Sequence, residues 1–260
     1  MNSILYTGRS GLDALQKRIE TISNNIANMN TSGYKKVDQN FQELLRNKIG
    51  ELGTPLTDEL EAEEPTIGAG VRVSEPYRIF DQGTLSPSSN PLELAIEGNG
   101  FFGYRSGNNM LFSRVANLSV NEDGEIVDSN GRTISIEDEE NLNNYDKSSI
   151  IINKMGEIFA EDEDGDLENV GKIILYDVDN KENLQDAGSG YYRIPEGEEI
   201  LDSDDDPEYF GTINQGYSEM SNVEMAKEMI DMMILQRAYQ LNARSLEAAD
   251  EMWRMTNNIR

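Results

Sequence analysis

The run with the most chemical promise is Gly98-Asn99-Gly100-Phe101-Phe102-Gly103, which matches GxGxxG, the spacing that cradles a dinucleotide pyrophosphate. That chemistry requires a helix to open right after the glycines, so that its first amides face the phosphates. Residues 94–97 before the run and 101–105 after it both alternate as strands do, with bulky Phe101 and Phe102 where the helix should begin. The expected role is a tight turn that sends Phe101 or Phe102 into a β core. Acidic loops invite calcium, but the EF-hand spacing places Ala160 first in the loop that reaches Gly165 and Ser119 first in the one that reaches Gly124. Neither fits, and the densest acidic run, 202–206, reads as a solvated loop. Lys35 and Lys36, after Tyr34, are a weak hint of a small basic site.

The chain has neither Cys nor His, so disulfides, thiolate zinc sites, cysteine nucleophiles and every Ser-His or Cys-His pairing are excluded together. The usual general base near neutral pH is also missing, and the reading is of a protein that is not an enzyme and holds no cofactor or metal. A net charge of −27 repels nucleic acid and anionic membrane alike. Residues 1–50 carry seven Lys/Arg against four Asp/Glu, and residues 221–260 carry five against six, so the acidity belongs to the middle. Near-neutral ends suit surfaces that pack against protein. No apolar run approaches a membrane span, so no direct membrane insertion is expected. Residues 1–11 lack a basic patch followed by an apolar stretch, so the expectation is a chain that stays in the cytoplasm or leaves without a cleaved signal.

The elements that give the chain its character are its two ends. Leu5, Gly8, Leu12, Leu15, Ile19, Ile22, Ile26 and Met29 recur at alternating steps of three and four, the period of a coiled-coil seam on a helix of about 25 residues. Asn28, Asn30 and Gly33 supply the stop. At the other end Ser221-Asn222-Val223-Glu224 has capping-box form, with Ser221 expected to bond the Glu224 amide. Val223, Ala226, Ile230, Ile234, Ala238, Leu241, Ser245, Ala248, Met252, Met255 and Ile259 then make a second seam with one stutter. Met225, Met229, Met232 and Met233 lie off or beside it, as a second apolar face or as gap-filling core residues. Leaving either seam wet forfeits well over ~10 kcal/mol before entropy. Pairing with each other and with copies from neighbouring chains is the expected relief.

Between the helices lie short alternating segments with turn residues at 122–124, 129–131 and 164–165. Strands are expected at 68–73, 77–80, 94–97, 101–105, 110–114, 118–120, 125–128, 133–136, 150–152, 158–160, 172–176 and 191–194. The fold class is thus α+β: long N- and C-terminal helices pairing as a coiled coil, with a central, mostly antiparallel β domain. The expected divisions are an N-terminal helix and turn at 1–45, an acidic connector at 46–66, the β domain at 67–216 and the C-terminal helix at 217–260.

Several motifs in a fixed order resemble one family. Residues 24–35, with Asn24, Asn25, Asn28, Thr31, Gly33, Tyr34 and Lys35, are similar to the N-terminal signature of bacterial flagellar rod and hook proteins. Ser221, Asn222, Gln236, Arg237, Tyr239 and Asn242 resemble its C-terminal hallmark, and residues 90–102 and 211–216 extend the likeness through the middle. Residues 70–73 and 80–85 bring it nearest to the distal-rod members, while proximal-rod members of similar size share much of it. The acidity of 137–207 departs from the family pattern. The resemblance implies export through the flagellar type III apparatus without a cleaved signal, and a place in the basal body outside the cytoplasmic membrane. It also implies helical polymerisation with itself and with other rod and hook proteins into a hollow, torque-bearing shaft, helices inside and β domains outside. Two other classes stay open: a soluble coiled-coil adaptor, which forms a small closed oligomer, and a carbohydrate-active enzyme, which needs two carboxylates converging in a cleft.

Overall fold

The computed structural model describes residues 2–44, 46–48, 66–68, 70–107, 109–137, 142, 145, 149–162, 165–195, 197–204 and 206–258. The chain divides into two units, one of Met1–Ala27, Val37–Ile79 and Glu224–Arg260, the other of Asn28–Lys36 and Phe80–Val223. The architecture is α+β, and every strand pairing among the described residues is antiparallel.

The first unit holds both helices, α1 (Asn2–Ala27) and α2 (Met225–Asn258). They run antiparallel, because Gly8 meets Asn242 and Leu246 at one end while Asn25 meets Glu228 at the other. A side chain at Gly8 would come within 3.0 Å of Leu246 Cγ, and the Asn242 side chain donates to the Gly8 carbonyl at 3.0 Å. The missing Cβ is what lets α2 approach this turn of α1. Ala14 and Ile22 are fully buried on α1. A ribbon leaves and returns beside it: Val37–Asp38 pairs Tyr77–Arg78, Phe41–Glu43 pairs Val71–Val73, and Arg46–Lys48 pairs Thr66–Gly68. Ser10 Oγ accepts the Val71 amide at 3.3 Å, and Arg18 pairs with Asp38, so the ribbon is pinned to α1 at two heights. Most of the connector expected at 46–66 lies outside the described residues, as does most of the acidic loop at 137–149.

α2 opens at Met225, three residues later than the capping-box pattern implies. Ser221 Oγ accepts the amide of Val223 at 3.3 Å rather than that of Glu224. Its neighbour Asn222 accepts the Lys36 amide at 2.7 Å and donates to the Asp81 carbonyl at 3.1 Å, which keeps this stretch out of the helix. The helical ladder starts instead with the Glu228 amide on the Glu224 carbonyl at 3.0 Å.

The second unit is the β part. Its large sheet runs Gln185–Gly188, Tyr191–Arg193, Asn109–Ser113, Phe101–Ser106, Thr133–Ile134, Ile126–Asp128, Val115–Val120, Glu93–Glu97, Thr212–Gln215, with Leu175–Val178 also pairing Phe101–Ser106. A four-stranded sheet of Ile136–Glu137, Leu167–Ile173, Glu157–Glu161 and Ile151–Ile152 accompanies it. The single strands expected at 133–136 and 172–176 are each broken, at Ser135 and Ile174, because the two halves serve different sheets. The Ile174 amide bonds the Ser135 carbonyl at 3.3 Å, so both chains turn the corner side by side.

The strand Phe101–Ser106 is covered on both faces. Phe102 and Tyr104 join Leu94, Ile96, Ile158 and Ile213 in the main core, while Phe101 packs with Phe112 and Tyr192 on the other side. Both phenylalanines are therefore core residues, and a strand stands where a phosphate-binding helix would be needed. No helix among the described residues is long and apolar enough to cross a membrane.

Candidate assembly interface

α2 carries an apolar stripe that stays more than half exposed among the described residues. Ile230, Ile234, Leu241, Met252 and Met255 are each between 53% and 60% exposed. At about 100° per residue these five fall on one side of the helix. The line turned to the interior is different: Glu228 is buried, and Met232, Leu235, Ala238, Asn242, Ala243, Leu246 and Ala249 are half-buried. The seam residues of α2 thus mostly avoid α1, and of that seam only Val223 and Ala238 are half-buried, while Ile259 lies outside the described residues. On α1 the seam behaves otherwise. Ile22 is buried, and Leu5, Leu12, Leu15, Ile19, Ile26 and Met29 are half-buried.

The signature residues have a different job from the stripe. In the first unit, the Asn25 side chain mimics a strand partner for Val37: it accepts the Val37 amide at 3.0 Å and donates to the Val37 carbonyl at 2.9 Å. It also donates to buried Glu228 at 3.2 Å, tying α1, the ribbon and the first turn of α2 together. Asn25→Ala is expected to cost about 2–4 kcal/mol, since two backbone groups and a buried carboxylate lose a partner. Hydrogen exchange at the Val37 amide measures it directly.

In the second unit the knot is ionic. Glu219 is fully buried, and its carboxylate accepts from Lys35 Nζ at 2.7 Å, Arg114 Nε at 3.0 Å and the Gly83 amide at 2.8 Å. Lys35 also donates to the Asp81 carbonyl at 2.8 Å, and Arg114 to the carbonyls of Gly98 at 2.9 Å and Gly100 at 2.5 Å. The GxGxxG turn therefore holds a guanidinium with its carbonyls, which is the reverse of a phosphate cradle. Burial lowers the Lys35 pKa below the ordinary 10.5, with Glu219 acting in the opposite sense. Lys35 and Lys36 make no exposed basic pair, because Lys35 is spent on this knot.

Gly33 closes the same region. Its amide bonds the Glu219 carbonyl at 2.7 Å, its φ is +69°, and an added Cβ would lie 2.3 Å from Val115 Cγ2. Gly33→Ala combines a left-handed residue with a clash, for an expected loss of about 2–4 kcal/mol in a urea titration. Asn28 caps the turn, accepting the Thr31 amide at 3.1 Å and the Thr31 hydroxyl at 3.2 Å, and Tyr34 donates its amide to Thr31 at 3.3 Å. Asn24, Gln236, Arg237 and Tyr239 are exposed, and Asn242 serves the helix crossing. Glu219, Arg114 and Glu228 were not legible as partners: Glu219 lies 184 positions from Lys35 and 105 from Arg114.

Paired terminal helices with an exposed stripe, and a β unit closed by its own buried ionic knot, are the features of a structural assembly protein. The comparisons make this specific. Residues 5–35 match the model described as flagella basal body rod protein. Residues 95–160 match the flagellar hook protein FlgE/F/G D1 domain, and residues 214–259 the flagellar basal body rod FlgEFG protein C-terminal. The flagellar basal-body rod protein FlgG of Borreliella burgdorferi is 30% identical over 268 residues, covering 100% of this chain and 99% of that protein. Those named FlgG in Agrobacterium fabrum (33% identical, 95% of each chain) and Caulobacter vibrioides (32%, 98% of each) are similar over the same extent. The chain belongs to the flagellar basal-body rod protein family.

Proposed function

We propose that the chain is a structural subunit of the distal part of the flagellar rod, a helical homopolymer in which α2 stripes of neighbouring copies cover one another in coiled-coil fashion. The observation that carries this is the half-exposed row Ile230, Ile234, Leu241, Met252 and Met255 in a chain of this family. Five such side chains leave on the order of 5 kcal/mol of burial unrealised in every isolated copy, enough to favour assembly once many copies share it. Packed helices in fixed register transmit torque with little loss, since close-packed interiors yield little under load. Other rod and hook proteins are the neighbours at either end, and the type III apparatus is the export route. The acidic residues of the β unit keep unassembled copies apart by like charge.

The test is polymer growth. Purified chain at rising concentration should pass from monomer to rods of open length in sedimentation and electron microscopy. A closed oligomer of fixed mass would favour the coiled-coil adaptor instead.

A further inference from the structure

The sulfur of this chain is confined to thioethers, because it has eleven Met and no Cys. Five of those methionines are exposed on one helix. Met225, Met229 and Met233 follow each other at steps of four down α2 and are 43%, 48% and 61% exposed, and Met252 and Met255 occupy the stripe at its far end. Between them the stripe is Ile230, Ile234 and Leu241, which carry no oxidisable atom. Met232, by contrast, is half-buried on the inward side. Met252 and Met255 thus lie on the surface that the assembly reading has neighbouring copies cover, and Met225, Met229 and Met233 line a second apolar face beside it, as a helix touching more than one neighbour would need.

We propose that these five thioethers are a modification site that controls assembly, a reading that rests on the proposed polymerisation of α2. A hydroperoxide supplied by the surroundings is the oxidant. The thioether sulfur attacks one peroxide oxygen with its lone pair, the O–O bond breaks, and protons rearrange so that the products are a sulfoxide and water (or an alcohol). Sulfur is oxidised by two electrons and the peroxide is reduced by two. The sulfoxide oxygen then demands hydrogen-bond partners that a dry helix seam lacks, so oxidised copies are excluded from the polymer. Copies already assembled have these atoms covered and react slowly.

The experiment treats dilute subunit with hydrogen peroxide, locates the added oxygen by peptide mass spectrometry, and follows assembly by sedimentation. Oxidised chain should assemble about tenfold less or worse, with recovery after methionine sulfoxide reductase. A variant with Leu at 225, 229, 233, 252 and 255 should assemble despite peroxide. Met155, on a turn of the β unit and 78% exposed, is the internal control: its oxidation should leave assembly unchanged. Full assembly of chain oxidised at the five positions overturns this proposal alone, as does loss of assembly in the peroxide-treated Leu variant. Failure of untreated chain to self-associate overturns the assembly reading and this proposal with it.

Discussion

Glu219→Leu should lower the stability of the β unit by about 3–5 kcal/mol, a large part of what holds a domain folded. The carboxylate is the shared partner of two buried cations, Lys35 and Arg114, and of the Gly83 amide. Removing it leaves two desolvated positive charges without the carboxylate they share. Glu219→Gln retains the shape and one acceptor, so it should cost less than the leucine variant. Tyrosine near-ultraviolet dichroism during urea unfolding reports on this unit, because Tyr104, Tyr191 and Tyr192 sit in its cores. The sole tryptophan, Trp253, lies on α2 and follows the helices separately. An unchanged tyrosine transition in Glu219→Leu would remove the ionic knot from the account.

The same knot carries a pH dependence of defined sign. Lys35 has its folded pKa depressed, chiefly by burial. Between that value and 10.5 the unfolded chain binds more protons than the folded one, so this group's contribution to stability rises with pH. It is fully present above 10.5 and is lost as pH falls through the folded value. Lys35→Met should flatten this alkaline slope in urea midpoints measured across that window.

The second large effect concerns assembly. Ile234→Asp combined with Leu241→Asp should abolish polymer formation while leaving the monomer's urea midpoint nearly unchanged, because both side chains are more than half exposed in the isolated chain. Two carboxylates in a seam otherwise dry would each have to be desolvated on assembly, at several kcal/mol apiece, against an association energy of about that size. The stripe of α1 is a poorer target. Leu12, Ile19 and Ile26 are already half-buried within the monomer, so aspartate there would damage the fold as well as the interface.

How far the residues announced this arrangement depends on whether the signal was local. The alternating strands and their turns were legible because each is a short-range pattern, as at Glu122-Asp123-Gly124 between Val115–Val120 and Ile126–Asp128. Both helices were legible from apolar period alone. The partner of each face was not: the seam of α2 looked like the mate of α1, yet Asn242 and Leu246 meet Gly8 and the seam faces away. A period identifies a stripe without saying what covers it. The short ribbon strands from Val37 to Lys48 alternate weakly and find their partners only at Thr66 to Arg78, beyond the reach of a tight turn, so no local signal marks them. The knots at Asn25 and Glu219 depend on partners far apart in the chain, and only their type as buried polar residues, never their pairing, could have been guessed. Of the signature residues, Asn25, Gly33, Lys35 and Asn242 close their units internally, while the exposed stripe of α2 is drawn by plain apolar residues.

The absence of cysteine permits the most direct measurement. Ile234→Cys places one thiol on the stripe, and its reaction with a maleimide can be timed in dilute monomer and again in the polymer. The account predicts rapid labelling of the monomer and at least about tenfold protection after assembly. Equal labelling rates in the two states would contradict it.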